Sequence, residues 1–247
     1  MSPRPLLIDA GRQLALLAGI LAFMAVALAL ADGLAWRGVL VALVAYGLIA
    51  VGVIAGLAYH PYRRFGPANV ITLARAAYAA LLVGLLGDGS SSLGESGRWA
   101  LVAAGAVALA LDGVDGWLAR RSQLASVFGA RFDMETDALS VLALSALVYR
   151  SGQVGAWVLT AGLMRYIFVL AGYLWPPLAA PLPPSQRRKV VCVILIVGML
   201  AALAPPVGAP RAQALCLVGL VLLVYSFGAD CVRLAAASRE RGAPAPG

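Results

Sequence analysis

The sequence predicts an all-α integral membrane protein of eight transmembrane helices, and three observations carry that expectation. The 247-residue chain is 62% hydrophobic and only 12% charged, about half the charged share of a soluble domain. Its mean hydropathy is +0.90. Its apolar runs repeatedly reach the roughly 20 residues that a bilayer-crossing helix needs.

The helices are expected at about 13–33, 38–59, 68–87, 96–121, 127–150, 154–175, 188–205 and 211–236. Six of the seven breaks between them are written in turn residues: ADGLAWRG, HPYRRFGPAN, GDGSSSLGESG, RSGQVG, WPPLAAPLPPSQ and APPVGAP. Proline and glycine stop a helix there because the backbone must turn where water can satisfy it. The first run lacks a small-residue cleavage pattern and reads as a retained helix rather than a signal peptide. The tail SRERGAPAPG, residues 238–247, reads as disordered and cytoplasmic.

Charge sets the expected orientation. If the N-terminus is cytoplasmic, the opposite side holds only Arg37, Arg98, Arg150 and Arg211. Arg75 and Arg165 lie within helices, and the remaining Lys and Arg residues fall on the N-terminal side. That asymmetry is a positive-inside signal, with an even number of spans and both termini inside. The formal net charge of +8 is spread over short loops. It therefore gives no basic face for nucleic acid. Cys192, Cys216 and Cys231 lie in apolar segments without CxxC spacing, so neither zinc nor a redox pair is expected. His60, the one histidine, has no acidic or cysteine neighbour at ligand spacing and reads as an interfacial residue. GDGSSSLGESG has no lysine and reads as an outer loop, not a phosphate cradle.

The informative stretch is residues 111–140. It holds Asp112, Asp115, Asp133, Glu135 and Asp137, five of the chain's eleven acidic residues. Asp112, Asp115, Gly116 and Ala119 share one face of the fourth helix at i, i+3, i+4 and i+7. Gly129, Asp133 and Asp137 form one stripe of the fifth helix at i, i+4 and i+8, while Glu135 falls off it. Facing each other, the stripes bring four carboxylates together at the inner boundary. Such a cluster repels itself in a low dielectric. Arg120 and Arg121 offset part of that, but Mg²⁺ or Mn²⁺ suits it better, and four carboxylates have room for two ions. Gly116, Ala119 and Gly129 would let a ligand approach the backbone. Two plainer explanations compete: an internally paired ion or proton relay, and small residues serving helix packing alone.

The segment reads Asp112-x2-Asp115-Gly116-x2-Ala119-Arg120-x8-Gly129-x3-Asp133-x3-Asp137. It resembles the signature of the CDP-alcohol phosphotransferase family at every fixed position. The resemblance implies a six-helix catalytic membrane domain, here residues 61–237, preceded by two extra transmembrane helices in residues 1–60. It implies a homodimer that transfers a phosphatidyl group from CDP-diacylglycerol to a small alcohol and releases CMP. By position, Asp112, Asp115 and Asp133 would ligate metal, and Asp137 would be the catalytic base and a further ligand. Gly116, Ala119 and Gly129 would shape the cytidine pocket, with Arg120 near the pyrophosphate. Asn69, Thr72 and Arg75, in PANVITLARAAY, resemble an Asn-x2-Thr-x2-Arg pattern of bacterial phosphatidylglycerophosphate-synthase-like members, which places the chain in a bacterial inner membrane with its active site facing the cytoplasm.

Arg165, in the sixth helix, and Arg187, Arg188 and Lys189, at the start of the seventh, are candidates for receiving an acceptor phosphate, since arginine grips phosphate bidentately. Glycerol 3-phosphate is the first acceptor expected. Inositol phosphate would use the same residues, and serine would need fewer of them. A cation or proton transporter is the alternative from another class. It would spread acidic groups through the membrane depth, whereas these sit at one depth.

Overall fold

The structure is a computed structural model that describes residues 4–31, 33–87, 93–122, 124, 126–175, 178 and 185–242, without the side chains of residues 114–122 and 237–242. Among the described residues the regular elements are helices: α1 (Arg4–Leu30), α2 (Trp36–Gly56), α3 (Pro67–Gly87), α4 (Glu95–Ser122), α5 (Val127–Arg150), α6 (Leu159–Leu174), α7 (Gln186–Leu203) and α8 (Ala209–Gly242). Short 3-10 turns at Leu57–Tyr59 and Ala156–Val158 extend α2 and lead into α6. Among the described residues, five helical stretches are long and apolar enough to cross a membrane: Arg4–Leu30, Trp36–Tyr59, Pro67–Gly87, Ala156–Leu174 and Ala209–Ala236. Phe23, Leu48, Leu170 and Val221 point outward and exposed, which suits helices solvated by lipid. The chain is an all-α, multi-pass integral membrane protein.

Two helices are longer than their hydropathy suggests. α1 starts at Arg4, not near residue 13, because Leu6, Ala10, Leu14, Leu17, Leu21 and Ala25 continue one buried stripe past Asp9 and Arg12. α8 runs on to Gly242.

α3 is the hub, packed against α1, α2, α4 and α5. Its sequence explains why: ARAAYAA is mostly small side chains, so neighbouring backbones come close. At the crossing of α2 and α3, a Cβ on Gly84 would lie 2.7 Å from the Gly38 carbonyl oxygen, and one on Gly38 would lie 2.9 Å from that of Gly84. Tyr46 of α2 donates to the Leu14 carbonyl of α1 at 2.9 Å, fastening the first helix to the second.

The loops gather into two sets at opposite ends. At one end Arg150 donates to the carbonyls of Leu85 (3.1 Å) and Leu86 (2.6 Å), closing the C-terminus of α3. There too, Arg98 donates to the Leu203 carbonyl at 3.2 Å, closing that of α7. Two of the four basic residues on the sparse side thus cap helix ends. The other end holds the α2–α3 and α4–α5 loops. Gly66 turns the chain into α3 with φ +88°, a conformation that side chains disfavour.

Candidate functional site

Asn69, Thr72 and Arg75 lie on one buried face of α3 because their spacing matches successive helical turns. Arg75, 5% exposed, is the centre of the ionic cluster. Its Nη1 lies 2.9 Å from Oδ1 of Asp112 and 2.6 Å from Oδ1 of Asp133, and its Nη2 pairs with Oδ1 of Asp137. One guanidinium from α3 therefore ties α4 to α5.

The two carboxylate stripes do meet. Asp112, Asp133 and Asp137 each present an oxygen within 4.8 Å of the others. Three carboxylates against one guanidinium leave a formal excess of two negative charges among these groups. Clustered hard oxygen donors with that excess fit a divalent cation such as Mg²⁺ or Mn²⁺. The side chains of Asp115, Gly116, Ala119 and Arg120 lie outside the described residues.

The first turn of α5 is closely packed. Ser126 caps the helix, its Oγ accepting from the Gly129 N–H at 3.0 Å. A Cβ on Gly129 would lie 2.7 Å from Oδ1 of Asn69, so any larger residue there would force the Asn69 side chain to move. Asn69 in turn donates to the Phe65 carbonyl. Thr72 donates to the Ala68 carbonyl at 3.1 Å, within its own helix.

Two cavities open beside the aspartates. A groove of about 720 Å³ runs between α4 and α7. Asp112, Asp133, Asp137 and Lys189 lie on its lining, with Val102, Ala106, Leu109, Ile196, Val197 and Leu200 providing apolar walls. A second cavity of about 780 Å³ lies among α5, α6, α7 and α8. Arg131, Asp137, Arg165, Arg188, Lys189 and Asp230 are on its wall. Asp137 and Lys189 line both.

The basic candidates divide. Arg165 pairs with Glu135, the acidic residue that had fallen off the α5 stripe. Arg187 pairs with Asp230, and Nη1 of Arg188 lies 3.4 Å from the other oxygen of the same carboxylate. Arg187 also stands 6.0 Å over the Tyr225 ring. The Nε atoms of Arg165 and Arg187 are buried without an acceptor. Asp230, 2% exposed, is a partner of two of these candidates that the sequence did not single out. An aspartate in the apolar run VYSFGADCV was its signal.

His60 is also more than interfacial. It is 7% exposed and bonded at both ring nitrogens, to Ser126 Oγ at 3.0 Å and to the Arg64 carbonyl at 2.9 Å.

Residues 65–226, from just before α3 into α8, match a family model described as CDP-alcohol phosphatidyltransferase. No curated protein and no solved structure matches the chain.

Proposed function

The chain belongs to the CDP-alcohol phosphatidyltransferase family, and from that premise we propose that it transfers the phosphatidyl group of CDP-diacylglycerol to the hydroxyl of a small phosphorylated alcohol, glycerol 3-phosphate first among them, releasing CMP. The observation that carries this reading is Asp137 standing on the wall shared by an apolar groove and a basic cavity. The groove offers acyl chains an apolar surface that ends at carboxylates. The cavity offers an anionic acceptor four cationic side chains: Arg131, Arg165, Arg188 and Lys189. A lipid donor and a polar acceptor approaching from the two sides meet at Asp137.

The reaction then balances simply. The acceptor hydroxyl gives its proton to the Asp137 carboxylate, its oxygen bonds to the donor phosphorus next to the diacylglycerol, and the bond from that phosphorus to the CMP oxygen breaks. Two Mg²⁺ or Mn²⁺ ions, held when bound by Asp112, Asp115, Asp133 and Asp137, supply charge neutralisation for the diphosphate and for departing CMP. Arg75 holds three of those carboxylates in register. Gly116, Ala119 and Gly129 leave room for cytidine, Arg120 meets the pyrophosphate, and Asn69 and Thr72 complete that side of the pocket.

A phosphate on the acceptor is favoured by the unpartnered Nε of Arg165. A buried N–H without an acceptor is costly, and a phosphate oxygen would satisfy it. Inositol phosphate would answer the same donor; serine can offer it a carboxylate but carries less negative charge into a cavity lined by four cations. The orientation we propose has both termini and the site at the cytoplasmic face, supported by the charge asymmetry. A bacterial inner membrane and a homodimer are proposed from the family resemblance.

The test is release of CMP from CDP-diacylglycerol by the purified full chain with Mn²⁺ or Mg²⁺, across glycerol 3-phosphate, inositol 1-phosphate, inositol, serine and choline. The expected result is metal-dependent release with a phosphorylated acceptor. Release with none of them, or turnover that persists in EDTA, overturns the proposal.

A further inference from the structure

The two N-terminal helices lie outside the residues matched by the family model, yet they are bonded to the site. Asp9 of α1 accepts from the Phe65 N–H at 2.8 Å. The Phe65 carbonyl accepts from Asn69, whose Oδ1 abuts Gly129. Gly129 donates to Ser126 Oγ, and Ser126 meets His60. His60 closes the circuit at the carbonyl of Arg64, the neighbour of Phe65.

A carbonyl only accepts, so Nε2 of His60 donates to Arg64. Ser126 Oγ meets Nδ1 of His60 while accepting from Gly129, one hydroxyl serving as helix cap and as link. Aromatic packing reinforces it: the Phe128 ring lies 5.5 Å from that of His60, edge-on, and 6.0 Å from that of Phe132, stacked. Asp133 and Asp137 follow Gly129 by one and two further turns of the same helix, so a shift of the first turn moves them as well.

We propose that His60 is a positioning residue: through the Ser126 hydroxyl it fixes the first turn of α5 against α3, making the N-terminal helix pair part of the catalytic unit. The expected kinetic effect rests on the reading of Gly129 as a wall of the nucleotide pocket. His60 touches no reacting atom, so it acts through the placement of α5, first at Gly129 on the donor's side.

Three variants of the full chain test this. His60→Phe keeps a ring against Phe128 but has no ring nitrogen. Ser126→Ala removes the other partner. His60→Asn retains a hydrogen-bonding group near the Nδ1 position. Hydrogen exchange of residues 127–133 is measured beside the KM values for donor and acceptor and the melting temperature. His60→Phe and Ser126→Ala are expected to speed exchange in that turn and raise the donor KM about fivefold, the scale of one lost hydrogen bond. The acceptor KM should change less than the donor KM, the double variant should be no worse than either single, and His60→Asn should recover most of the loss. Unaltered exchange, or a donor KM within twofold of the wild type while the melting temperature falls, overturns the proposal. A wild type that releases no CMP defeats the functional reading instead, and the exchange data still decide whether His60 positions α5. Should His60→Phe fail to fold, His60→Leu takes its place, because Ser126→Ala also removes the cap of α5.

Discussion

Arg75 of α3 and Asp137 of α5 form an ion pair at the junction of the two cavities, and the same guanidinium holds Asp112 and Asp133. A guanidinium and a divalent cation that share carboxylates compete for their charge. Arg75→Met should therefore lower the melting temperature of the chelated protein, because three carboxylates within 4.8 Å lose their cation. It should also bind Mn²⁺ more tightly than the wild type and gain more stability from it. Thermal melts with EDTA and with graded Mn²⁺ decide this. Equal metal-induced shifts in variant and wild type would show that Arg75 and metal do not share these oxygens.

The aspartates should separate by function. Asp137→Asn is expected to cut kcat by about 10²–10⁴, the scale of a lost general base, while Mn²⁺ binding is weakened less than by Asp112→Asn. Asp112→Asn should shift the metal dependence of turnover to higher concentration. Initial rates over a metal titration distinguish the two effects, and identical profiles for the two variants would remove the special role given to Asp137.

Gly129→Ala puts a methyl group 2.7 Å from Asn69 Oδ1. The neighbour must retreat, at a cost on the order of 1–3 kcal/mol for a tightly packed contact. Because Asn69 also holds the Phe65 carbonyl, the loss should be shared between stability and donor KM. Pairing Gly129→Ala with Asn69→Ala makes room for the methyl. The double variant is expected to melt above the sum of the singles, and strict additivity would mean that Asn69 is not the obstacle.

What was legible in the sequence follows from how far its signals reach. Lipid demands long apolar runs, so eight helices were expected; eight lie among the described residues, five of them in stretches long and apolar enough to cross a membrane. The start of α1 was not legible, because Asp9 and Arg12 look like a loop until Asp9 is seen holding the Phe65 amide. Helical spacing predicted that Asp112, Asp133 and Asp137 share one side, and their oxygens do converge. It did not predict that Arg75, far along the chain, sits among them rather than merely near them. Glu135 was set aside for its angle on α5, yet that angle aims it at Arg165. The partners of His60 and Asp230 are distant in sequence, 66 residues for Ser126 and 43 for Arg187. No local periodicity encodes such pairs.

The basic cavity carries the last prediction. Arg165 is held by Glu135, and Arg187 and Arg188 by Asp230, so each arginine meets an acceptor phosphate already engaged. Arg165→Ala should raise the KM for a phosphorylated acceptor by about 10–100-fold, the scale of a charge-assisted hydrogen bond, with donor KM nearly constant. Glu135→Gln removes the competitor and should lower the acceptor KM. Asp230→Asn has a different expected effect, because its carboxylate is buried and faces two cations. Without it, Arg187 and Arg188 lose their anchor, and the acceptor KM should rise although a negative charge has left the cavity. Steady-state kinetics with the acceptor varied separate these cases. A simple electrostatic cavity would give the two acidic variants the same sign, so opposite signs identify Glu135 as a rival of the substrate and Asp230 as a support for the residues that bind it.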